Sequence, residues 1–265
     1  MVLNRIDKRF ADLKQKKQAA AIAYVMAGHP SLSVTSEALE ILVKNDFDII
    51  EVGFPFSDPA ADGPIIQAAG KCALQNNVTL SSTLGVVQNF RIKNTDTPII
   101  LMGYYNPIFQ YGEAEFIKQC VLCGVDGLIV PDLPLEECAE FAELCKNNGI
   151  CLIQIISQLT DVDRLKKINK LASGFIYFVS ILGITGTKTP EFENLRKHID
   201  GIRKYITLPL VVGFGIKTPA HAKNIAAIAD GFVVGSALVS ELDGVENGKL
   251  DNFANLAKEF SRRVE

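Results

Sequence analysis

The feature that most constrains this chain is a regular alternation. Short apolar, β-branched runs take turns with segments of helical spacing along nearly its whole length. Strands are predicted at 20–28, 49–53, 97–107 with its following loop, 127–134 with its loop, 150–156, 174–180, 208–216 and 230–238. Helices are predicted at 4–16, 33–45, 64–76, 113–123, 135–148, 161–171, 192–205, 219–229 and 250–263, with another to 94 capped by Ser81 or Ser82. Glu37 is read into the first turn of the second helix, and Pro64 at the first position of the third. Strands separated by helices imply a parallel sheet, and runs apolar on both faces imply burial on both sides. A closed (β/α)8 TIM barrel with an extra N-terminal helix is the economical solution, and an open doubly wound sheet is the alternative. No linker, charge block or low-complexity tract divides the chain, so residues 1–265 are expected to form a single barrel domain. No short sequence repeat is evident within the βα alternation.

Charge and composition exclude several classes of function. A net charge of −3 leaves no broad basic surface for nucleic acid or anionic membrane. No apolar run reaches the length of a membrane span, and residues 1–17 read as an amphipathic helix without the apolar core of a secretion signal. Six cysteines in 265 residues are too few for a disulfide scaffold and fit a reducing compartment, so a cytoplasmic location is expected.

In a barrel the C-terminal ends of the strands face the active-site mouth. Residues 48–64 concentrate chemistry there. An apolar strand carries one carboxylate, Glu51, and runs into a loop with Pro55, Ser57, Asp58, Pro59, Asp62, Gly63 and Pro64. An ionised group inside a buried strand is costly unless it has a task or a partner. Asp62 follows in the restricted loop, and two carboxylates at one mouth are what proton transfer requires. Three glycine-bearing turns follow the sixth, seventh and eighth strands: Gly183 to Gly186, Gly213 to Gly215, and Gly235-Ser236. Together they point to a phosphate cradle built from backbone N–H groups, the usual use of these loops in barrels. No GxxxxGK[ST] is present, which argues against a nucleoside triphosphate site.

These stretches, IIEVGFPFSDPAADGPIIQ, ILMGYYNPIF, GVDGLIVPDLPLEE, GFIYFVS with GITGTK, VVGFGI and DGFVVGSALV, resemble the α subunit of tryptophan synthase, in the same order over nearly the whole chain. The resemblance implies retro-aldol cleavage of indole-3-glycerol phosphate to indole and glyceraldehyde 3-phosphate, with no metal or organic cofactor in this chain. It implies that Glu51 moves protons at indole C3 and the glycerol hydroxyl, and that Asp62 stabilises charge at the indole N–H. Asp62 must then stay ionised, so it is expected to be the wetter or better hydrogen-bonded of the two. Tyr24 and Tyr177 match positions lining the substrate, Thr185 matches a loop threonine that meets the aspartate on closure, and Gly186, Phe214, Gly215, Gly235 and Ser236 match the phosphate end.

The resemblance also implies a partner, a PLP-dependent β subunit, in a heterotetramer of two α and two β chains through which indole passes. Gly53, Pro55, Asp58, Pro59, Asn106, Pro107, Phe109 and Pro134 match interface positions. Phe54, Phe56 and Phe109 at a loop rim suit a covered surface. A stand-alone lyase, a non-catalytic regulatory partner of the β subunit and another phosphate-binding barrel isomerase are the competing readings.

Plainer roles exist for several of these residues. Glu51 is able to serve as a salt-bridge partner for a lysine, and Asp62 as a cap for the helix starting at Pro64. Tyr104 and Tyr105 read as packing residues, and Asp132 and His29 carry no assigned role. The Cys120-x-x-Cys123 pair lies at a helix C-terminus, the wrong end for a low-pKa thiol. His198 and His221 fall on predicted outer helices.

Overall fold

The structure, a computed structural model, describes residues 4–179, 190–213, 215–245 and 249–261. Helix α1 (Arg5–Lys16) precedes β1 (Ala20–Met26), α2 (Leu32–Lys44), β2 (Ile49–Gly53), α3 (Pro64–Gln75) and α4 (Leu80–Lys93). Next come β3 (Ile99–Met102), α5 (Tyr105–Tyr111), α6 (Glu113–Cys123), β4 (Gly127–Ile129), α7 (Ala139–Asn147) and β5 (Cys151–Ser157). The chain continues through α8 (Val162–Leu171), β6 (Ile176–Val179), α9 (Pro190–Ile202), β7 (Leu210–Gly213), α10 (Pro219–Ala226), β8 (Gly231–Val234), α11 (Ser236–Ser240) and α12 (Asp251–Ser261). All eight strands pair in parallel, and β8 closes on β1, with Ala20 opposite Gly231. The open sheet is therefore ruled out.

Several local expectations need correction. Ser31 caps α2 by accepting from Val34 N, so the helix starts early and Glu37 lies beyond its first turn. Thr79, not a serine, caps α4, with Ser82 completing a capping box. The GYYNP segment, read as loop, turns helical at once as α5, because Asp132 from the next βα loop accepts from Tyr105 N at 2.8 Å. That cap is 27 residues away in sequence, beyond the reach of a local pattern.

A repeat that the linear sequence hides emerges at the N-terminal end of the barrel. Asp48, Asp126, Ser173 and Asp230 stand just before β2, β4, β6 and β8. Each accepts a hydrogen bond from the start of the preceding strand: Ala21 N at 2.9 Å, Ile99 N at 2.8 Å, Leu152 N at 2.9 Å and Leu210 N at 2.7 Å. The motif is a single side chain every second strand, too sparse to register as a sequence repeat. Arginines brace its charged members. Arg9 pairs with Asp48, Arg5 and Arg91 with Asp126, and Arg203 with Asp230. Helix α1 covers this end, burying Ile6, Phe10 and Leu13, with Asn4 donating to the carbonyls of Asp126 and Gly149. The opposite end is left for chemistry.

Candidate active site

Glu51 occupies the middle of β2, in register with Tyr24 of β1 on one side and Ile100 of β3 on the other. Its side chain is 0% exposed, and among the described residues neither carboxyl oxygen has a hydrogen-bond partner. Among the described residues the salt-bridge reading of Glu51 therefore finds no partner. Burial without a compensating charge pushes the carboxyl up to about 8, so at neutral pH it holds a proton. A buried, unpartnered carboxyl costs stability and persists where function demands it.

Asp62 is less buried. Helix α3 begins at Gly63 with Pro64 at its first position and has no side-chain cap, so the Asp62 carboxylate is not spent on capping. Desolvation raises it to about 6, and a hydrogen bond from Tyr104 pulls the other way. The expectation that Asp62 is the wetter and better hydrogen-bonded of the two agrees with this geometry. At neutral pH one carboxyl is protonated and the other ionised.

Tyr24 ties the two together. Its phenol is pushed well above 10 by burial first, then by the charges of Asp62 and Glu51 and by Tyr104 and Tyr177. Tyr177, on β6, is likewise raised by burial and by Glu51. Both rings lean across a glycine at the end of the next strand. A Cβ on Gly53 would stand 2.1 Å from the Tyr24 hydroxyl, and one on Gly213 would stand 2.0 Å from that of Tyr177. Glycine at those two positions is what allows two phenols to converge over the barrel mouth beside Glu51.

After β7 and β8, Gly215 has φ +81° and open space where a side chain would be, and Gly235, where a Cβ would stand 3.7 Å from the Tyr24 Cβ, leads into α11 at Ser236. Thr185, Gly186 and Phe214 lie outside the described residues. His29 is buried after β1, with Nε2 2.9 Å from Asp243 Oδ1; desolvation lowers its pKa, and Asp243 opposes that shift.

The rim residues divide. Asp58, Asn106, Phe109 and Pro134 are exposed, Phe109 to 63%, and Pro59 and Pro107 are half-buried. Gly53, Pro55 and Phe54 are buried within the chain and present no surface to a partner. Gly53 serves the Tyr24 ring instead. Tyr104 exceeds its expected packing role: its ring stacks on Phe56 at 5.3 Å, and its hydroxyl accepts from Ala61 N at 2.9 Å. Nothing local marks it, because its partners come from the β2 loop. Cys120 and Cys123 are buried free thiols whose pKa values burial raises, which fits neither a redox pair nor a ready metal ligand. No helix among the described residues is long and apolar enough to cross a membrane.

Comparison with known proteins identifies the family. A family model described as "Tryptophan synthase alpha chain" matches residues 10–264. The tryptophan synthase alpha chain of Geotalea daltonii is 46% identical over 91% of this chain and 91% of its own, and that of Petrotoga mobilis is 47% identical over 93% and 94%. The crystal structure of tryptophan synthase subunit alpha from Legionella pneumophila superposes with a TM-score of 0.91 at 37% identity, covering 98% of both chains. With a closed parallel barrel, a buried carboxyl and a second acid on the following loop, the chain belongs to the tryptophan synthase alpha chain family.

Proposed function

We propose that this chain cleaves indole-3-glycerol phosphate to indole and glyceraldehyde 3-phosphate with Glu51 and Asp62 as its acid–base pair. The observation that carries the assignment is the fully buried Glu51 carboxyl, without a hydrogen-bond partner among the described residues, with Tyr24 facing both it and Asp62. Cleavage of the C3–C3′ bond requires the indole ring to become an electron sink. Protonated Glu51 donates its proton to indole C3, giving the indolenine. As a carboxylate it then takes the proton of the glycerol C3′ hydroxyl. The C3–C3′ electron pair returns to the ring, the C3′ oxygen becomes the aldehyde carbonyl, and Glu51 ends protonated as it began. A positioned acid or base of this kind is worth about 10²–10⁴-fold.

Asp62, ionised, accepts from the indole N–H and offsets the positive charge that the indolenine places on nitrogen. Tyr24 and Tyr177 wall the indole and glycerol ends. Gly186, Gly215, Gly235 and Ser236 hold the phosphate through backbone N–H groups, with Phe214 beside them, and Thr185 serves as a partner of Asp62. Proton transfer and charge stabilisation by these carboxyls complete the step, so the chain needs no metal or organic cofactor of its own.

Indole is then consumed by a β subunit that carries PLP and condenses it with serine. The two chains form an α2β2 assembly in the cytoplasm. Asp58, Pro59, Asn106, Pro107, Phe109 and Pro134 form the docking rim, and an exposed phenylalanine among prolines suits burial against a partner. The test is to mix the purified chain with indole-3-glycerol phosphate and measure indole release, with and without a β subunit. Glu51→Gln is expected to abolish release while retaining partner binding, and near-normal turnover by that variant would overturn the assignment.

A further inference from the structure

We propose that Tyr104 is a positioning residue for Asp62: one hydroxyl tethers the loop backbone at Ala61 and donates to the Asp62 carboxylate, keeping that group oriented and ionised. The proposal rests on the acid–base reading of Asp62 given above.

The hydroxyl has one proton and two lone pairs. Ala61 N–H donates to it at 2.9 Å, which occupies a lone pair and leaves the proton free. The neighbouring acceptor is the carboxylate of the next residue, Asp62, whose pKa the hydroxyl lowers against the effect of burial. A hydrogen bond to the charged form favours that form. Among the described residues, the other groups facing this neighbourhood are the Tyr24 phenol from β1, Glu51 from β2 and Asp132 from the β4 loop. Among the described residues no lysine or arginine acts on Asp62, and the Tyr104 hydroxyl is what opposes its desolvation.

Placement of the ring is over-determined, as a positioning group requires. Tyr104 is 4% exposed, and its ring stacks on Phe56 with an interplanar angle of 29°. Its backbone forms the N-terminal boundary of α5, whose first N–H, that of Tyr105, is held by Asp132 Oδ1. Three consecutive βα loops therefore converge on this residue: the second through Ala61 and Asp62 at the hydroxyl, the third through Tyr104 itself, and the fourth through Asp132 at the following backbone N–H.

The test is Tyr104→Phe, which keeps the stacked ring and deletes the hydroxyl. The acid limb of kcat/KM for indole release is expected to move upward by roughly one pH unit. Activity then falls about threefold at pH 6.5 and stays near wild type at pH 8. Carbon-13 NMR titration of the aspartate carboxyls gives a readout independent of turnover, and the Asp62 resonance, assigned by its loss in Asp62→Asn, is expected to move by the same amount. An unmoved acid limb and an unmoved titration, with any uniform drop in rate, would leave Tyr104 as a packing residue and overturn the proposal. Asp132→Asn, which retains an acceptor for Tyr105 N, is expected to keep the wild-type limb, and Asp132→Ala to shift it partway toward Tyr104→Phe. If the wild-type chain releases no indole at all, the functional reading fails, and the NMR titration still decides whether Tyr104 sets the ionisation of Asp62.

Discussion

Replacing Glu51 by Gln is expected to stabilise the protein while it removes cleavage, and the stability gain must depend on pH. In the unfolded chain the carboxyl titrates at its ordinary value of 4.5, and burial raises it to about 8 in the folded state. A group whose folded pKa is raised contributes stability that is fully present below the unfolded value and is lost as pH rises through the folded one. At pH 7 the unfolded chain ionises Glu51 freely while the barrel still holds it neutral. That pH stands about 2.5 pH units above 4.5, each worth about 1.4 kcal/mol, so the penalty is roughly 3 kcal/mol. Glutamine has nearly the same shape, lacks the ionisation, and leaves a buried polar group comparable to the neutral acid. The variant is therefore expected to exceed wild type by roughly 3 kcal/mol at pH 7 and to match it at pH 4. With an unfolding entropy of about 2.1 cal/mol/K per residue over 265 residues, the gain corresponds to about 5 °C in Tm. Urea or thermal unfolding of both proteins at pH 4, 5.5, 7 and 8.5 measures it. A difference that stays constant across that range would refute the reasoning, since it would mean Glu51 is not held neutral in the folded state.

The wild-type kcat/KM profile should be bell-shaped, needing Asp62 ionised above about 6 and Glu51 protonated below about 8, with a maximum near 7; a rate still rising at pH 9 would contradict the acid role of Glu51. Gly213→Ala should push the Tyr177 phenol out of the mouth, since the new Cβ would stand 2.0 Å from its hydroxyl. A loss of about tenfold in kcat/KM is expected from a displaced site group, read by steady-state indole release. Arg91→Ala should destabilise the barrel by about 1–3 kcal/mol in urea unfolding, because it leaves the buried Asp126 carboxylate with Arg5 and the Ile99 N–H and strips the Gly124 and Thr97 carbonyls of their donor, and it should leave the pH optimum of the remaining folded enzyme unchanged.

Much of this protein is legible along the chain, and the reasons are local. Periodicity alone separates strands from helices, because burial on both faces of a parallel sheet demands continuous apolar runs such as 49–53 and 99–102. Helix α6 is delimited by Gly112 and Gly124, whose φ values of +88° and +80° suit glycine best, so its limits could be read directly. A carboxylate in an otherwise apolar strand announces Glu51 for the same reason: its cost is intrinsic to that position.

Other features depend on residues brought together across the barrel. The cap that makes α5 a helix, the glycines that admit the Tyr24 and Tyr177 rings, and the Tyr104 hydroxyl against Ala61 and Asp62 all join different βα units. The side-chain repeat of Asp48, Asp126, Ser173 and Asp230 is invisible as a pattern and plain as geometry. Sequence by itself thus determined the alternation of strands and helices and singled out Glu51 and Asp62 as candidates, because these follow from patterning within single elements, whereas closure of the barrel came from the pairing of β8 with β1. Tertiary structure supplied the reason for what the resemblance only implied, which acid holds a proton at neutral pH, since a carboxyl's ionisation is set by the burial and hydrogen-bond donors that neighbouring strands and loops supply.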